Sequence, residues 1–327
     1  MAMTLSAGAS FILSAIVACV CIATILRTRL GNRLLDQPNS RSLHVHAVPR
    51  IGGLGILAGL MASALMTGTS LPWSIWCALL LVVGISLLDD LRSVSAAVRL
   101  PVHLVAGALM AWAALPDAPW VWALVLAVAL AWMINLYNFM DGSDGLAGMQ
   151  ACFGFGAMAL AAHVGGDTGV ACTCAALAGG ALGFLVFNWP PARIFMGDAG
   201  STALGAMAGG IGAWGVHRGL WTAPFPVLAF FPFIFDASLT LADRIRRRQR
   251  VWQAHRDHAY QRLNLSGWGH RNTALAYGLW MIVCTGIALS GVGRKLDPMA
   301  YLFVLMASAL LYGIVRFSSW LQRSNRG

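Results

Sequence analysis

Long apolar blocks recur along the whole chain, and short segments rich in Gly, Pro or charge separate them. A helix needs about 20 apolar residues to cross the hydrocarbon core of a bilayer. Measured against that length, the pattern predicts eleven membrane-spanning helices in one domain over residues 1–327, so the expected fold class is an all-α, multi-pass membrane protein. The predicted spans are 6–27, 51–69, 71–89, 100–116, 118–136, 146–163, 168–188, 201–217, 222–241, 273–291 and 298–317.

Composition supports this interpretation. Hydrophobic residues make up 58% of the chain and charged residues only 10%, whereas soluble domains carry about 25% charged residues. A net charge of +10 would suggest nucleic acid in a soluble protein. In a membrane protein it is typical of a positive cytoplasmic face, so we expect no nucleic-acid partner. The seven Cys form no CxxC pair, and we expect neither disulfides nor a zinc site. We interpret the first apolar block as a retained helix rather than a cleaved signal peptide.

The charges of the loops alternate, and this alternation predicts the orientation. Nineteen of the 22 Lys and Arg residues fall in or beside one set of loops, which are 28–50, 90–99, 137–145, 189–200, 242–272 and the C-terminal tail. By the positive-inside rule these loops are cytoplasmic, the N-terminus is outside and the C-terminus is inside. The chain contains no Glu, and most of its twelve Asp fall in the same loops. Any active site is therefore expected on the cytoplasmic face.

The first chemical motif is the pair Asp89–Asp90 at the end of a predicted span. Adjacent carboxylates at a helix C-terminus repel each other and oppose the helix dipole. A solvated helix end is one interpretation of the pair. A cation site or a general base is the other, because a divalent ion would relieve the repulsion.

The second motif is "NLYNFMDGSDGLAG" at 135–148, which contains Asn138, Asp141 and Asp144. A calcium loop would need oxygen ligands at alternate positions and a later Glu, so this pattern excludes it. The polar residues would form one stripe on a helix, but Gly142 and Gly145 favour a break that lets backbone amides approach a ligand. A plain turn is the alternative interpretation.

Two further loops complete the pattern. In "FNWPPARIFMGDAGST", Asp198 precedes a predicted helix whose first amides could bind phosphate while the carboxylate holds Mg²⁺. In the loop 242–272, His255, His258 and Arg262 have the spacing of one helical face, which favours contacts to phosphate or to a sugar nucleotide. Topogenic charge and anionic lipid explain most of the Arg cluster 244–250. Juxtamembrane charge and phosphate contact both remain open for the basic loop from Arg41 to Arg50.

Taken together, the motifs resemble those of the polyprenyl-phosphate N-acetylhexosamine-1-phosphate transferase superfamily. The matching segments are "DD" at 89–90, "NLYNFMDGSDGLAG" at 135–148, "FNWPPARIFMGDAGS" at 187–201 and "HRDHAYQRL" at 255–263, in family order, and the motif-bearing part is 41–263. The resemblance implies that UDP-HexNAc and undecaprenyl phosphate react in the bacterial inner membrane to give undecaprenyl-diphospho-HexNAc and UMP. It also implies Mg²⁺ as cofactor, with Mn²⁺ able to substitute, and a homodimer by family analogy.

The same resemblance implies roles for individual residues. Asp198 matches the metal-binding Asp, with Asp90 beside the metal, and Asp89 with Asp90 matches the acidic pair near the lipid phosphate. Asn138, Asp141 and Asp144 match the nucleotide-site motif, and Asn188, His255, His258 and Arg262 match substrate-binding positions. The implied catalytic residues are Asp89, Asp90, Asp141 and Asp144.

Several alternatives remain open. "HRDHAYQRL" lacks the run of histidines found in the phospho-MurNAc-pentapeptide transferase of peptidoglycan synthesis, so it is more similar to enzymes that initiate O-antigen and envelope polysaccharides. The rival function class is a cation-coupled transporter, for which Asp236, inside a predicted span, would be the most useful carboxylate. A catalytically dead scaffold is a third alternative, against which the five intact motif Asp residues argue.

Overall fold

The computed structural model describes residues 6–28, 35–36, 47–67, 71–250, 255–293 and 298–324. About 80% of these described residues are helical, which confirms the all-α prediction, and one short antiparallel pairing joins β1 (Leu35–Asp36) to β2 (Val48–Pro49). Arg41, with the rest of 37–46, lies outside the described residues. The helices are α1 (Ala7–Arg27), α2 (Gly53–Thr67), α3 (Trp73–Arg92), α4 (Ala96–Ala114), α5 (Trp120–Phe139), α6 (Leu146–Val164), α7 (Thr168–Asn188), α8 (Asp198–His217), α9 (Pro224–Ala229), α10 (Phe231–Arg246), α11 (Ala259–Leu263), α12 (Gly269–Ser290) and α13 (Pro298–Ser324), with a π-helical turn at Asn264–Trp268.

Each of the eleven predicted spans overlaps one or more of these helices. Within the described residues, seven helical segments are long and apolar enough to cross a membrane: α1, α3 to α7, and the continuous run Ala259–Ser290. Helix α2 and the Met299–Leu310 part of α13 are apolar but shorter. Trp120, Leu124 and Val128 follow one face of α5 and are each more than half exposed, as expected for a face in contact with lipid. The total of eleven spans and the orientation stay predictions.

Helix α7 lies at the centre of one half of the bundle, where it packs against α1, α2 and α6. Small residues allow this close packing. A Cβ on Gly179 would lie 2.1 Å from the carbonyl oxygen of Phe11, and one on Gly183 would lie 2.5 Å from that of Ala15. Helix α8 is central to the other half and packs against α3, α4 and α5. Close packing of this kind is how membrane helices associate when hydrophobic burial cannot drive them together.

The predicted span 222–241 consists of two helices rather than one. Helix α9 ends at Ala229 and α10 begins at Phe231, because Phe230 leaves the helical region with φ −115° and ψ 16°. Pro232 follows at the second position of α10. A proline has no backbone N–H and restricts the residue before it, so it is tolerated where a helix starts but not in its interior.

Candidate active site

The motif-bearing loops meet at one end of the bundle. Helices α3, α5 and α7 end there, and α6 and α8 begin there. Hydrogen bonds cross between the loops: the Ala192 N–H donates to Asp144 at 2.9 Å, and the Ala199 N–H donates to Asp90 at 3.4 Å. The structure thus brings together three acidic segments that lie far apart in sequence.

Asp89 and Asp90 lie in the last turn of α3, and the helix stops at Ser93, whose φ is 51°. Asp89 accepts a hydrogen bond from the Val94 N–H at 2.6 Å. The Asp90 side chain is only 3% exposed, so this carboxylate does not belong to a solvated helix end.

Two arginines balance this pair. Arg50 Nη2 donates to the Asp90 carbonyl at 2.8 Å, and its Nε lies 3.7 Å from Asp90 Oδ1. Arg99, near the start of α4, contacts Asp89 closely and also reaches Asp198, with Nη1 3.1 Å from Oδ2. Nothing in the sequence pattern singled out Arg99, since it follows Asp89 by ten residues and precedes Asp198 by 99.

The loop before α8 runs alongside the segment that precedes α2. The Phe195 N–H donates to the Pro49 carbonyl at 2.7 Å, and the Gly52 N–H donates to the Phe195 carbonyl at 2.8 Å. Gly197 has φ 79°, and a Cβ there would lie 2.0 Å from the Arg50 carbonyl oxygen. Only glycine fits this position. The backbone hydrogen bonds between the two segments place Arg50 beside the acidic cluster, which consists of Asp89, Asp90, Asp141 and Asp198.

The start of α8 differs from the expectation of free amides for phosphate. The Ala199 N–H is directed at Asp90 Oδ2, so a carboxylate of the chain itself occupies the positive end of this helix. A substrate phosphate would have to bind through the arginines or a cation, or displace Asp90.

Asp141 and Asp198 complete the cluster. Burial, followed by the charges of Asp198 and Asp90, raises the pKa of Asp141 well above its usual range. Burial, followed by the charge of Asp90, likewise raises the pKa of Asp198, and a hydrogen bond from Asn138 opposes that rise. Like charges held together in a site of this kind make a positively charged ligand favourable.

The carboxylates suit a hard divalent cation, since Mg²⁺ takes one or two carboxylates and keeps several waters or phosphates. Asp90 Oδ1 is buried without a hydrogen-bond donor in the part of the chain that the structure describes. Among the described residues, however, no three His, Cys or Asp side chains are grouped so that they could hold a metal by themselves. A cation here would need further oxygen ligands from water or substrate.

Asn188 and Asp144 connect two of the loops. The Gly145 N–H donates to Asn188 Oδ1 at 2.8 Å, and Asn188 Nδ2 donates to the Ile194 carbonyl at 2.9 Å. Asn188 is buried, so its amide group holds the backbone of both loops. As expected from the glycines of this motif, α5 ends at Phe139 and the acidic residues lie in the turn that follows.

His270, at the start of α12, is a site residue that sequence reasoning missed. Its Nδ1 lies 3.1 Å from the Asp144 amide nitrogen and 3.4 Å from the Asp144 carboxylate. The matching motif ends at Leu263. Identifying His270 as a site residue would have required knowing that the start of α12 lies against the turn that contains Asp144.

The expectation of one helical face for His255, His258 and Arg262 is wrong. Residues 255–257 are not helical, and α11 begins only at Ala259, with His258 as its N-cap. The His258 N–H donates to Gln261 Oε1, three residues later, at 3.3 Å. A capping residue has non-helical backbone angles, so the three side chains diverge from a common stripe.

Arg262 and His255 have their partners within the loop 242–272, whereas His258 also approaches Asp236 of α10. Arg262 binds Asp257 through Oδ1 at 3.1 Å, and Arg244 binds the other oxygen at 2.6 Å. Burial would raise the pKa of Asp257, but the Arg244 hydrogen bond and the Arg262 charge lower it below its usual value. His255 lies beside His258, with ring centroids 5.0 Å apart.

Asp236 has no exposed surface. It accepts hydrogen bonds from the Tyr277 hydroxyl at 2.7 Å and from the N–H groups of Ala259 and Tyr260 at 2.9 and 3.3 Å, with His258 Nδ1 at 3.7 Å. This carboxylate therefore anchors α11 rather than lining an ion path.

Sequence comparison relates the chain to known proteins. The model of the family described as "Glycosyl transferase family 4" matches residues 72–215. A "Probable undecaprenyl-phosphate N-acetylglucosaminyl 1-phosphate transferase" of Bacillus subtilis is 27% identical over 285 residues, covering 81% of this chain and 79% of the relative. A "Decaprenyl-phosphate N-acetylglucosaminephosphotransferase" of Mycobacterium leprae is 30% identical over 320 residues, again covering 81% and 79%. A "Phospho-N-acetylmuramoyl-pentapeptide-transferase" of Lacticaseibacillus paracasei is 33% identical over 195 residues, covering 49% and 59%.

Proposed function

We propose a reaction for this chain from the premise that it belongs to glycosyl transferase family 4, within the polyprenyl-phosphate N-acetylhexosamine-1-phosphate transferase superfamily. The relatives indicate transfer of a sugar-1-phosphate to a polyprenyl phosphate. The finer proposal is that HexNAc-1-phosphate passes from UDP-HexNAc to undecaprenyl phosphate. The products are undecaprenyl-diphospho-HexNAc and UMP, and the reaction occurs at the cytoplasmic face of the bacterial inner membrane.

One observation carries this proposal: Asp90, Asp141 and Asp198 converge with Arg50 and Arg99 at one end of an apolar helical bundle. The two proposed reactants are both anionic, and one of them is held in the bilayer. A charged cluster at the end of the bundle can receive a nucleotide from water and a phosphate from lipid.

In the proposed reaction an oxygen of the lipid phosphate attacks the β-phosphorus of the donor. The bond from that phosphorus to the bridging oxygen breaks, and UMP leaves with the electron pair. Arg50 and Arg99 can neutralise charge on the phosphates as it develops. A phosphate monoester is largely ionised near neutral pH, so direct attack needs little help from a base, and Asp89 can accept a proton that remains. A covalent aspartyl intermediate is the alternative.

Asp198 and Asp90 are the residues proposed to hold Mg²⁺, and Asn138 with Asp141 and Asp144 to face the nucleotide. A bound Mg²⁺ would supply charge neutralisation at the diphosphate. The motif "HRDHAYQRL" supports a place at the first membrane step of O-antigen or envelope polysaccharide synthesis. A MurNAc-pentapeptide donor remains the second candidate, because a relative of that kind also matches.

The test uses the purified full chain in nanodiscs with Mg²⁺ and undecaprenyl phosphate. UDP-GlcNAc, UDP-GalNAc, UDP-FucNAc, UDP-QuiNAc and UDP-MurNAc-pentapeptide are offered separately, and UMP and the lipid-linked product are measured. UMP release that requires both the lipid and one HexNAc donor is expected. Absence of UMP with every donor, from protein shown to be folded, would overturn the proposal. Release only with the pentapeptide donor would establish the second candidate.

A further inference from the structure

We propose that His270 is a positioning residue that sets the turn at Asp144 by accepting its backbone N–H through Nδ1. The inference concerns the same site, and it depends on the proposed function only for its kinetic readout.

The contacts of Nδ1 define the role of this ring. Asp144 N lies 3.1 Å from His270 Nδ1, and Ser143 Oγ lies at the same distance. A backbone N–H can only donate, so Nδ1 must accept, and the neutral ring then carries its proton on Nε2. Ser143 and His270 are 127 positions apart, so this is a contact between separate elements and not a local turn.

Neighbouring side chains hold the same stretch of backbone. Asn264 Nδ2 lies 3.2 Å from Ser143 Oγ, and the Tyr260 hydroxyl donates to the Phe139 carbonyl at 3.0 Å. The segment from α11 to the start of α12 therefore contacts the end of α5 and the turn after it at successive points. His270 makes the contact nearest to the Asp144 carboxylate.

The far side of the turn is held independently. Asp144 Oδ2 accepts the Ala192 N–H at 2.9 Å, and the next amide, Gly145 N–H, donates to Asn188. Asp144 is buried, so without His270 its amide would lose its acceptor where water has little access. The carboxylate would then be held from one side only, and its direction toward the acidic cluster would be less well defined.

Substitutions can separate the two ring nitrogens. In His270→Asn the side-chain oxygen can take the place of Nδ1 as acceptor, whereas in His270→Gln the acceptor lies one bond farther out, nearer the position of Nε2. His270→Ala removes both ring nitrogens. Arg271→Ala, at the exposed next position, is the matched control. The readouts are amide hydrogen exchange of a peptide containing Asp144, and kcat and KM for UMP release.

We expect His270→Ala and His270→Gln to speed exchange at Asp144 and to lower kcat/KM for the donor by about tenfold. His270→Asn and Arg271→Ala should resemble the unmodified protein. Wild-type exchange in His270→Ala would overturn the inference. So would His270→Asn that exchanges and reacts like His270→Ala, because Nδ1 would then not be the atom that matters. If the unmodified chain releases no UMP, the proposed function fails, while the exchange data still judge the role of His270.

Discussion

The guanidinium of Arg99 joins Asp198 to the end of α3: Nη1 lies 3.1 Å from Asp198 Oδ2 and also contacts Asp89. One cation thus serves two carboxylates, and Arg50 serves a third, Asp90. These ion pairs connect the start of α8 to the start of α4. Because the cluster contains more carboxylates than arginines, its formal charge stays negative.

Arg99→Ala is expected to slow UMP release by about 10- to 100-fold, because it removes hydrogen bonds to charged groups worth about 1.5–3 kcal/mol. Initial rates in nanodiscs measure this effect. Arg92→Ala is the control, since Arg92 is exposed at the end of α3 and should leave the rate unchanged. Equal rates for both variants would show that Arg99 has no part in the reaction.

Asp198→Asn is expected to abolish UMP release without loss of folded protein, because the neutral amide is a much weaker ligand for a divalent cation. Titration of Mg²⁺ against rate, together with size-exclusion chromatography, measures this. Asp117→Asn, in an exposed turn, is the control. Near-normal turnover with an unchanged Mg²⁺ requirement would remove Asp198 from the metal role.

Asp236→Asn is expected to destabilise the protein by about 1–3 kcal/mol, because the new amide donor would face groups that also donate. Asp243→Asn provides a matched control on the same helix. Asp243 pairs with the exposed Arg246 and Arg247, and surface ion pairs contribute about 0–1 kcal/mol. Thermal unfolding in detergent compares the two variants, and equal melting temperatures would argue against the anchoring role of Asp236.

Gly142→Ala is expected to lower activity because the new Cβ would lie 2.3 Å from the Tyr260 hydroxyl oxygen. The clash would disturb the bond from Tyr260 to the Phe139 carbonyl. Adding Tyr260→Phe removes the clashing oxygen, so the double variant should be more active than Gly142→Ala alone. Gly156→Ala, where a Cβ would meet no atom within 4 Å, should be neutral. A double variant worse than either single variant would contradict this explanation.

Lowering the pH is expected to destabilise the protein through protonation of His255 in the loop 242–272. Burial, and then repulsion by His258 and Arg244, lowers the pKa of His255 from 6.5 to about 4. The unfolded chain then binds this proton more readily, so the contribution to stability is complete above the unfolded pKa and is lost as the pH falls toward the folded value. The melting temperature should therefore fall between about pH 7 and pH 5 less steeply in His255→Asn than in the unmodified protein. Identical slopes would exclude His255 as a cause.

Local sequence patterns determined the fold class and the approximate positions of the helices. Apolar blocks long enough to span a bilayer predicted the positions of the helices, and Gly142 and Gly145 predicted a break in the helical backbone, which the end of α5 at Phe139 confirms. The alternation of charge between loops predicted that Asp89, Asp141 and Asp198 share one side of the membrane, and the structure brings these three residues together at one end of the bundle. These features depend on local composition and on the geometry of a helix in lipid.

Only the tertiary structure decided which groups meet. Arg99 and Asp198 are 99 residues apart, and His270 and Asp144 are 126 apart, so no periodicity relates them. The same limit applies to Asp236, whose position in a span suits an ion path but whose contacts anchor α11. It applies also to His258, whose helical spacing was overridden by its role as an N-cap. A buried charge or amide must find a partner wherever packing places one, and that choice depends on how the helices assemble rather than on any single segment.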